Sequence, residues 1–533
     1  MERIAAHMTL SSGLYRFGLA FVFGAFAALA LAPVNLFIAA FVSFSVLLWL
    51  LEGAVGNPSS GIIGRNMPAF LVGWAFGLGY FVAGLWWTAN ALLVEADEYA
   101  WALPLAIFGL PAYLAIFYGL ATMLARLFWT DGGLRLFSLA AAFGLMEWLR
   151  GFVLTGFPWN AIGQALMPFP LMMQSVFLTG SLLMNVIAVF IFASPGLLVG
   201  GRRSSWAFIV AMLLLGAHLG YGAYRLNFRE PESTQLAAAP VVRIVQPMID
   251  QAAKINDSER GRIFEEHLAL TREPPPAGGK VPDIILWPET SIPFILTRNP
   301  DALSKIADTL SDGQILIAGA VRVESDNAID NPRFYNSIYM IDSQGQIIGA
   351  ADKVHLVPFG EYLPLETLWS KIGLTAIAAD MPGGYSAATN RQLLTTPAGL
   401  KLWPLICYEV VFPELSSDVN ERADAIVNVT NDGWFGNSSG PYQHFQQARI
   451  RAVEFGVGLI RNSNSGISAI INPYGELLKG LDYQVKGFVD GPIPHKILPI
   501  LHERTRFLNF GLIELLIFAT LLFSRVSFIF NRN

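Results

Sequence analysis

The distribution of apolar residues along these 533 positions constrains the fold more than any single motif does. Runs fit to cross a hydrocarbon core about 30 Å thick occupy residues 17–31, 36–51, 68–92, 103–127, 136–153, 171–199 and 206–221, and another covers 508–523. Between 225 and 506 the character changes: Pro, Asp, Glu, Asn and turn pairs become frequent, and no apolar run is long enough to span. The pattern predicts a multi-pass α-helical membrane domain over 1–224 with seven spans, a water-exposed domain over 225–506, and an eighth span within 507–533. Composition agrees, because 53% hydrophobic and 14% charged residues is too apolar for an ordinary soluble enzyme. The first run passes through Ala32-Pro33-Val34-Asn35 into the second without a cleavage region, so it is expected to be retained. The first two runs are short, which leaves open a hairpin that does not fully cross.

Orientation follows from the basic residues of the short loops. Arg3, Arg16, Arg65, Arg126, Arg135, Arg202 and Arg203 all fall on one side, whereas one alternate loop carries Glu95, Asp97 and Glu98. Both termini are then expected in the cytoplasm, with Arg525 and Arg532 on that side, and 225–506 outside it. The net charge of -5 is modest and no basic block stands out, so nucleic acid is not an expected partner.

The 225–506 segment alternates short β-branched runs (VVRIVQP, DIILWPE, QILIAGAVRV, SIYMID, KLWPLICY, AIVNVTND, SAIINPYG) with amphipathic stretches at 258–271, 300–310 and 442–455. This predicts a layered α/β domain. At roughly 280 residues it is large enough for a core of its own.

Cys407 is the only cysteine. A lone thiol facing an oxidising compartment has no disulfide to make, so nucleophilic chemistry competes with the reading of a small buried hydrophobe. Three chemically useful side chains stand at expected strand ends: Glu289 after DIILWP, Lys353 after GQIIGAAD, and Cys407 after KLWPLI. Ligand sites of α/β sheets collect at such ends. Singly, Glu289 reads equally as a helix cap and Lys353 as a solvated charge. Together they supply thiol acyl transfer with a proton acceptor, a cation for the developing oxyanion and a nucleophile. A helix expected near 413–420 would favour the thiolate through its N-terminus.

In kind and chain order these three resemble the Glu-Lys-Cys triad of the nitrilase superfamily. The whole chain resembles more closely the bacterial apolipoprotein N-acyltransferase family, through EWLRG at 147–151, TGFPWN at 155–160, LWPETSIP at 286–293, DKVHLVPFGEYLP at 352–364, CYE at 407–409 and NDGWFGNSSGPYQHFQQARIRAVE at 431–454. The resemblance implies an inner-membrane protein carrying a periplasmic nitrilase-like α-β-β-α sandwich. It also implies a ping-pong reaction in which a phospholipid, typically phosphatidylethanolamine, acylates Cys407. The N-terminal amine of a diacylated apolipoprotein then takes the chain. Residue by residue, Glu289 matches the general base, Lys353 the oxyanion-stabilising lysine and Cys407 the nucleophile. Glu361 matches an essential carboxylate beside them, Tyr408 and Glu409 residues needed around the nucleophile, and Trp434 an aromatic on a mobile loop at the lipid entrance.

Chemistry supports several of these assignments. Glu361 is placed to hold Lys353 protonated, although a surface carboxylate beside Gly360 reads as well. Trp434 between glycines suits a moving interfacial loop or a core position. Glu147 and Arg150, three apart, are expected to pair on one helix face. Trp159, in Phe157-Pro158-Trp159, is expected either to line the lipid approach or to anchor its helix. One departure from the family is visible: its usual Gly-Asn pair is missing near Pro247-Met248, and its usual tryptophan is replaced by Ile255, which puts lipid handling in question. The seven histidines lack metal-binding spacing and no Walker or dinucleotide glycine loop is present, so no metal and no cofactor is expected; His355 and His444 read as supporting or surface residues. The rival functions are a membrane-tethered amidase and a non-catalytic lipid transporter or sensor.

Overall fold

The computed structural model describes residues 2–199, 202–229, 239–324, 332–364, 384–413, 422–497 and 503–530. The chain forms two compact units, one made of Met1–Ala89, Glu98–Phe228 and Ile500–Asn533, the other of Asn90–Asp97 and Arg229–Pro499.

The first unit is helical. Among the described residues six helices are long and apolar enough to cross a membrane: Gly13–Ala30, Ile62–Leu93, Leu105–Leu127, Val176–Val199, Ser205–Asn227 and Arg504–Ser524. Ile38–Gly53 is apolar but shorter, and Leu134–Arg150 carries Arg135, Glu147 and Arg150. The helices meet through small residues. A side chain at Gly73 or Gly77 would strike Tyr118 on Leu110–Leu127, and one at Gly24 would strike the backbone of Phe76. Without a hydrophobic driving force between helices in lipid, such close backbone approach supplies the packing. The run expected as one span over 171–199 is interrupted: a short helix Pro170–Met173 precedes Val176–Ala193, within which Gly180 has φ +73°. Glycine takes that conformation without a steric penalty, which apolarity alone does not reveal.

The expected Glu147–Arg150 pair is present and buried. Tyr118 donates to Glu147 at 2.9 Å, and Arg150 donates to the carbonyls of Phe157 and Trp159. The pair therefore clamps the segment after its helix, where Trp159 is buried against Trp87 with ring centroids 5.0 Å apart.

The second unit is a sandwich of two six-stranded sheets. The strands, in chain order, are β1 (Val241–Gln246), β2 (Ile284–Leu286), β3 (Ile315–Glu324), β4 (Arg333–Asp342), β5 (Ile347–Asp352), β6 (Leu394–Thr395), β7 (Lys401–Ile406), β8 (Ala425–Thr430), β9 (Gly458–Ser463), β10 (Ser468–Ile471), β11 (Leu477–Leu481) and β12 (Gly487–Pro492). One sheet runs β12-β1-β2-β3-β4-β5 and the other β11-β10-β9-β8-β7-β6. β1, β2 and β3 are parallel, as are β7, β8 and β9, and the outer pairs are antiparallel.

The period of two explains why the central strands are apolar throughout. Val242, Ile244, Ile284, Leu286 and Ile317 face inward to meet Leu402, Ile406, Val427 and Ile460 of the other sheet. Val245, Ile285 and Leu316 face outward, under Phe264 and Leu268 of helix Arg260–Arg272 and Ile306 of helix Pro300–Ala307. Each such side chain contributes roughly 1.5–3 kcal/mol on burial. The other sheet carries helix Gly440–Phe455, so the order of layers is α-β-β-α.

Candidate active site

Three strand ends converge on one place. Glu289 follows β2 by three residues, Lys353 follows β5 at once, and Cys407 follows β7 at once. All three are buried. Lys353 Nζ donates to Glu361 at 2.9 Å and stands 3.7 Å from Glu289 Oε1. Glu361 Oε2 also accepts from the Val357 N–H at 2.8 Å, which fixes the 357–361 turn around the lysine. The Glu289 turn is seated on β3, where the Gly319 carbonyl accepts from the Ser291 N–H at 2.9 Å and from the Ile292 N–H at 3.2 Å. Gly319 needs no side chain there: a Cβ would lie 2.6 Å from Glu289 Cα.

The backbone is strained at two of these positions. Cys407 has φ +50° and Thr290 φ +45°. Non-glycine residues pay on the order of 1 kcal/mol or more for such a conformation and hold it only where the surroundings enforce it. At Cys407 the enforcement is visible. Cys407 opens the turn Cys407–Val411, and Glu409 of that turn accepts from the Ile406 N–H at 2.8 Å. The same carboxylate accepts from the N–H groups of Val354 and His355 at 2.9 and 3.0 Å and from Arg391 at 2.8 and 3.0 Å. One buried side chain thus ties the nucleophile's turn to the residues after Lys353. His444 approaches from the other side, with Nε2 3.2 Å from the Cys407 carbonyl and Nδ1 2.8 Å from Asp432. Both partners only accept, so each bond forms only when the nitrogen facing it carries a proton. Arg461 donates to Asp432 at 2.7 Å.

The protonation pattern follows from burial and neighbouring charge. Burial pushes the Cys407 thiol up, as does Glu289, against the opposing pull of Lys353 and a hydrogen bond with Thr430. The resting sulfur is a thiol that needs a base. Burial and the Glu361 charge raise Glu289 above the usual carboxylate range, against Lys353 and Asn336, which suits it to that task. Burial works against a charged Lys353, but Glu361 and Glu289 together overcome it and hold the ammonium. The expected thiolate-favouring helix falls largely on 414–421, outside the described residues, as does the side chain of Ile255.

Residues 241–496 match the carbon-nitrogen hydrolase family, and residues 23–194 match the apolipoprotein N-acyltransferase N-terminal domain. The chain is 57% identical over 537 residues to the apolipoprotein N-acyltransferase of Rhizobium leguminosarum bv. trifolii (strain WSM2304), covering 100% of both. It is 54% identical over 533 residues to that of Agrobacterium fabrum (strain C58 / ATCC 33970), again covering 100% of both. The chain belongs to the apolipoprotein N-acyltransferase family. An amidase from Nesterenkonia sp. of known structure is 18% identical with a TM-score of 0.34, over 50% of this chain and 95% of that one.

Of the residues that the likeness to apolipoprotein N-acyltransferases singled out, the structure brings Glu289, Lys353, Cys407 and Glu361 into one cluster. Glu409 is buried beneath it, and Tyr408 packs its ring edge-on against Phe412, centroids 5.0 Å apart. Trp434 is partly exposed in the turn Asp432–Phe435, whose start Asn431 caps by accepting from the Gly433 N–H. Trp159 belongs to the helical unit.

Sequence reasoning missed three members of the cluster. Asn336, in β4, donates through Nδ2 to Glu289 Oε1 and Glu361 Oε1, both at 2.8 Å. Lys254, in the short helix Gln251–Ile255, donates to the Glu289 carbonyl at 3.1 Å, and its burial lowers it to about 8, with Glu289 opposing. Arg391 holds Glu409.

Proposed function

We propose that this protein transfers a fatty acyl chain from a membrane phospholipid, through a thioester on Cys407, to the α-amino group of the N-terminal diacylglyceryl-cysteine of apolipoproteins. Glu289 takes the thiol proton as sulfur attacks the ester carbonyl. Lys353 stabilises the oxyanion, and the lysophospholipid leaves with the proton returned by Glu289. The amine of the acceptor then attacks the thioester and the sulfur departs. Glu361 keeps Lys353 charged and aimed, Glu409 and Tyr408 hold the nucleophile's turn, and Trp434 and Trp159 serve the approach of lipid. The donor is phosphatidylethanolamine. The observation that carries this reading is an ammonium gripped by one carboxylate and 3.7 Å from a second, buried one whose affinity for protons is raised.

The architecture that goes with it has eight spans, with a membrane domain over 1–224, a periplasmic catalytic domain over 225–506 and a last span in 507–533. The protein lies in the inner membrane with both termini in the cytoplasm. The loop arginines support that orientation, and the helices Ile38–Gly53 and Leu134–Arg150 supply the two spans beyond the six longest.

Mass spectrometry of the protein purified from membranes tests the chemistry. A fatty acyl adduct on Cys407, released by hydroxylamine and absent from Cys407→Ser, is expected, and a synthetic diacylated lipopeptide should discharge it. Normal lipoprotein N-acylation by Cys407→Ser would overturn the assignment.

A further inference from the structure

The amide of Asn336 can be oriented in only one way. Its nitrogen faces two carboxylates, Glu289 and Glu361, each 2.8 Å away. An amide oxygen placed there would meet two acceptors with no proton between them, so the nitrogen must be the atom that bridges them. The consequence falls on the other end of the group. Oδ1 is buried and finds no donor among the described residues, while Asn336 as a whole is 3% exposed. A buried carbonyl without a partner is costly enough to need a reason.

Register explains why the oxygen cannot relax away. Asn336 lies opposite Val321 in the β3–β4 ladder, and its own backbone carbonyl accepts from the Lys353 N–H at 2.8 Å. The side chain is therefore pinned by the sheet on one side and by the two carboxylates on the other. An acceptor oxygen is held beside the general base, one amide's width from the atom that touches it.

Resting on the acyl-transfer reading above, we infer that Asn336 Oδ1 receives an N–H of the acceptor's α-amino group in the second half-reaction. The two halves differ in what they bring to this place. The departing ester oxygen of the donor carries no hydrogen, and the single proton it acquires comes from Glu289. A primary amine brings two N–H groups. Its lone pair forms the N–C bond, the C–S bond breaks, and one proton passes to Glu289 and on to the sulfur. The second N–H needs an acceptor that is not the base, and Oδ1 is that atom. With both hydrogens directed, the lone pair is aimed at the thioester carbonyl.

Asn336→Leu keeps the shape and removes the oxygen together with the Nδ2 that bridges Glu289 and Glu361. Pre-formed thioester is chased with a synthetic diacylated lipopeptide, at a pH where Glu289 is ionised in both proteins. Loss of the bridging nitrogen should slow acylation by phospholipid and aminolysis alike, and loss of the oxygen should slow aminolysis roughly tenfold further. An equal fall in both halves would reduce Asn336 to a support for Glu289 and overturn the proposal. An acceptor methylated on its α-nitrogen provides the second measurement, since it has no spare N–H once one proton goes to Glu289. The wild type should discriminate against it, and Asn336→Leu should lose that discrimination. Equal rates for the two acceptors in the wild type, or discrimination intact in the variant, would each refute the role even if the variant were poorly folded. A wild type that never forms the thioester counts against acyl transfer itself and is seen before any acceptor is added.

Discussion

Arg391 and Glu409 form a buried two-bond ion pair, 2.8 and 3.0 Å, at the point where the turns of Cys407 and Lys353 converge. Burial works against a charged Glu409, but Arg391 and the Ile406 N–H overcome it, so the carboxylate titrates below its usual range. Arg391→Met leaves that charge buried without its cation, at a cost of about 3–5 kcal/mol. Glu409→Leu in the same chain should recover part of the loss. Thermal unfolding in detergent reads both, and a single variant as stable as wild type would contradict the role of the pair.

The acid side of the acylation rate should report Glu289. The rate requires the carboxylate ionised, so it is lost as pH falls through a value above the usual carboxylate range. Glu361→Gln removes the like charge and should move this limb to lower pH. It should also move the alkaline limb down, because Lys353 loses the charge that contributes most to holding it protonated. Single-turnover rates against pH check both signs, and limbs that stay in place in the variant would contradict the coupling.

Lys254 should act on the same limb from the opposite side. Its charge lowers Glu289, so Lys254→Met should shift the acid limb upward. Stability gives an independent sign. With a folded value of about 8 against 10.5, the native state is penalised below pH 8, and the penalty fades as pH rises to 10.5. The variant should therefore be no less stable than wild type at pH 7, and a clear drop in melting temperature would argue against it.

Asp432 makes the opposite contribution. Burial would raise it, but Arg461 and His444 bring it down to about 2 from 3.8. This stabilises the fold above pH 3.8 by on the order of 2 kcal/mol, a contribution lost as pH falls towards 2. Asp432→Asn should flatten the stability profile in that window. It also replaces the carboxylate facing His444 Nδ1 with a neutral amide, so thioester formation should slow by roughly tenfold through altered support of the Cys407 carbonyl.

The legible part of the site was the part written at strand ends. Glu289, Lys353 and Cys407 each close a β-branched run, and that pattern survives without knowing which strands pair. Asn336 was hidden because its meaning comes from β4 lying beside β3 and β5. In sequence it is one polar residue in an apolar strand. Arg391 and Lys254 were hidden for the same reason, reaching their partners across 18 and 35 positions. The strands β9, β11 and β12 escaped notice through their composition: GLIRNS carries an arginine that Asn428 and Asp432 satisfy, and LLKGL and GFVDGP are broken by glycines.

The bare backbone at Gly319 gives the enzyme a vulnerable position that carries no side chain of its own. A single added methyl group would push against the chain at Pro288, Glu289 and Thr290 and so displace the base without altering any catalytic side chain. Among homologues, drift to alanine there should be purged as strictly as loss of the cysteine, and an otherwise intact copy bearing that change would mark a lineage that no longer depends on the reaction.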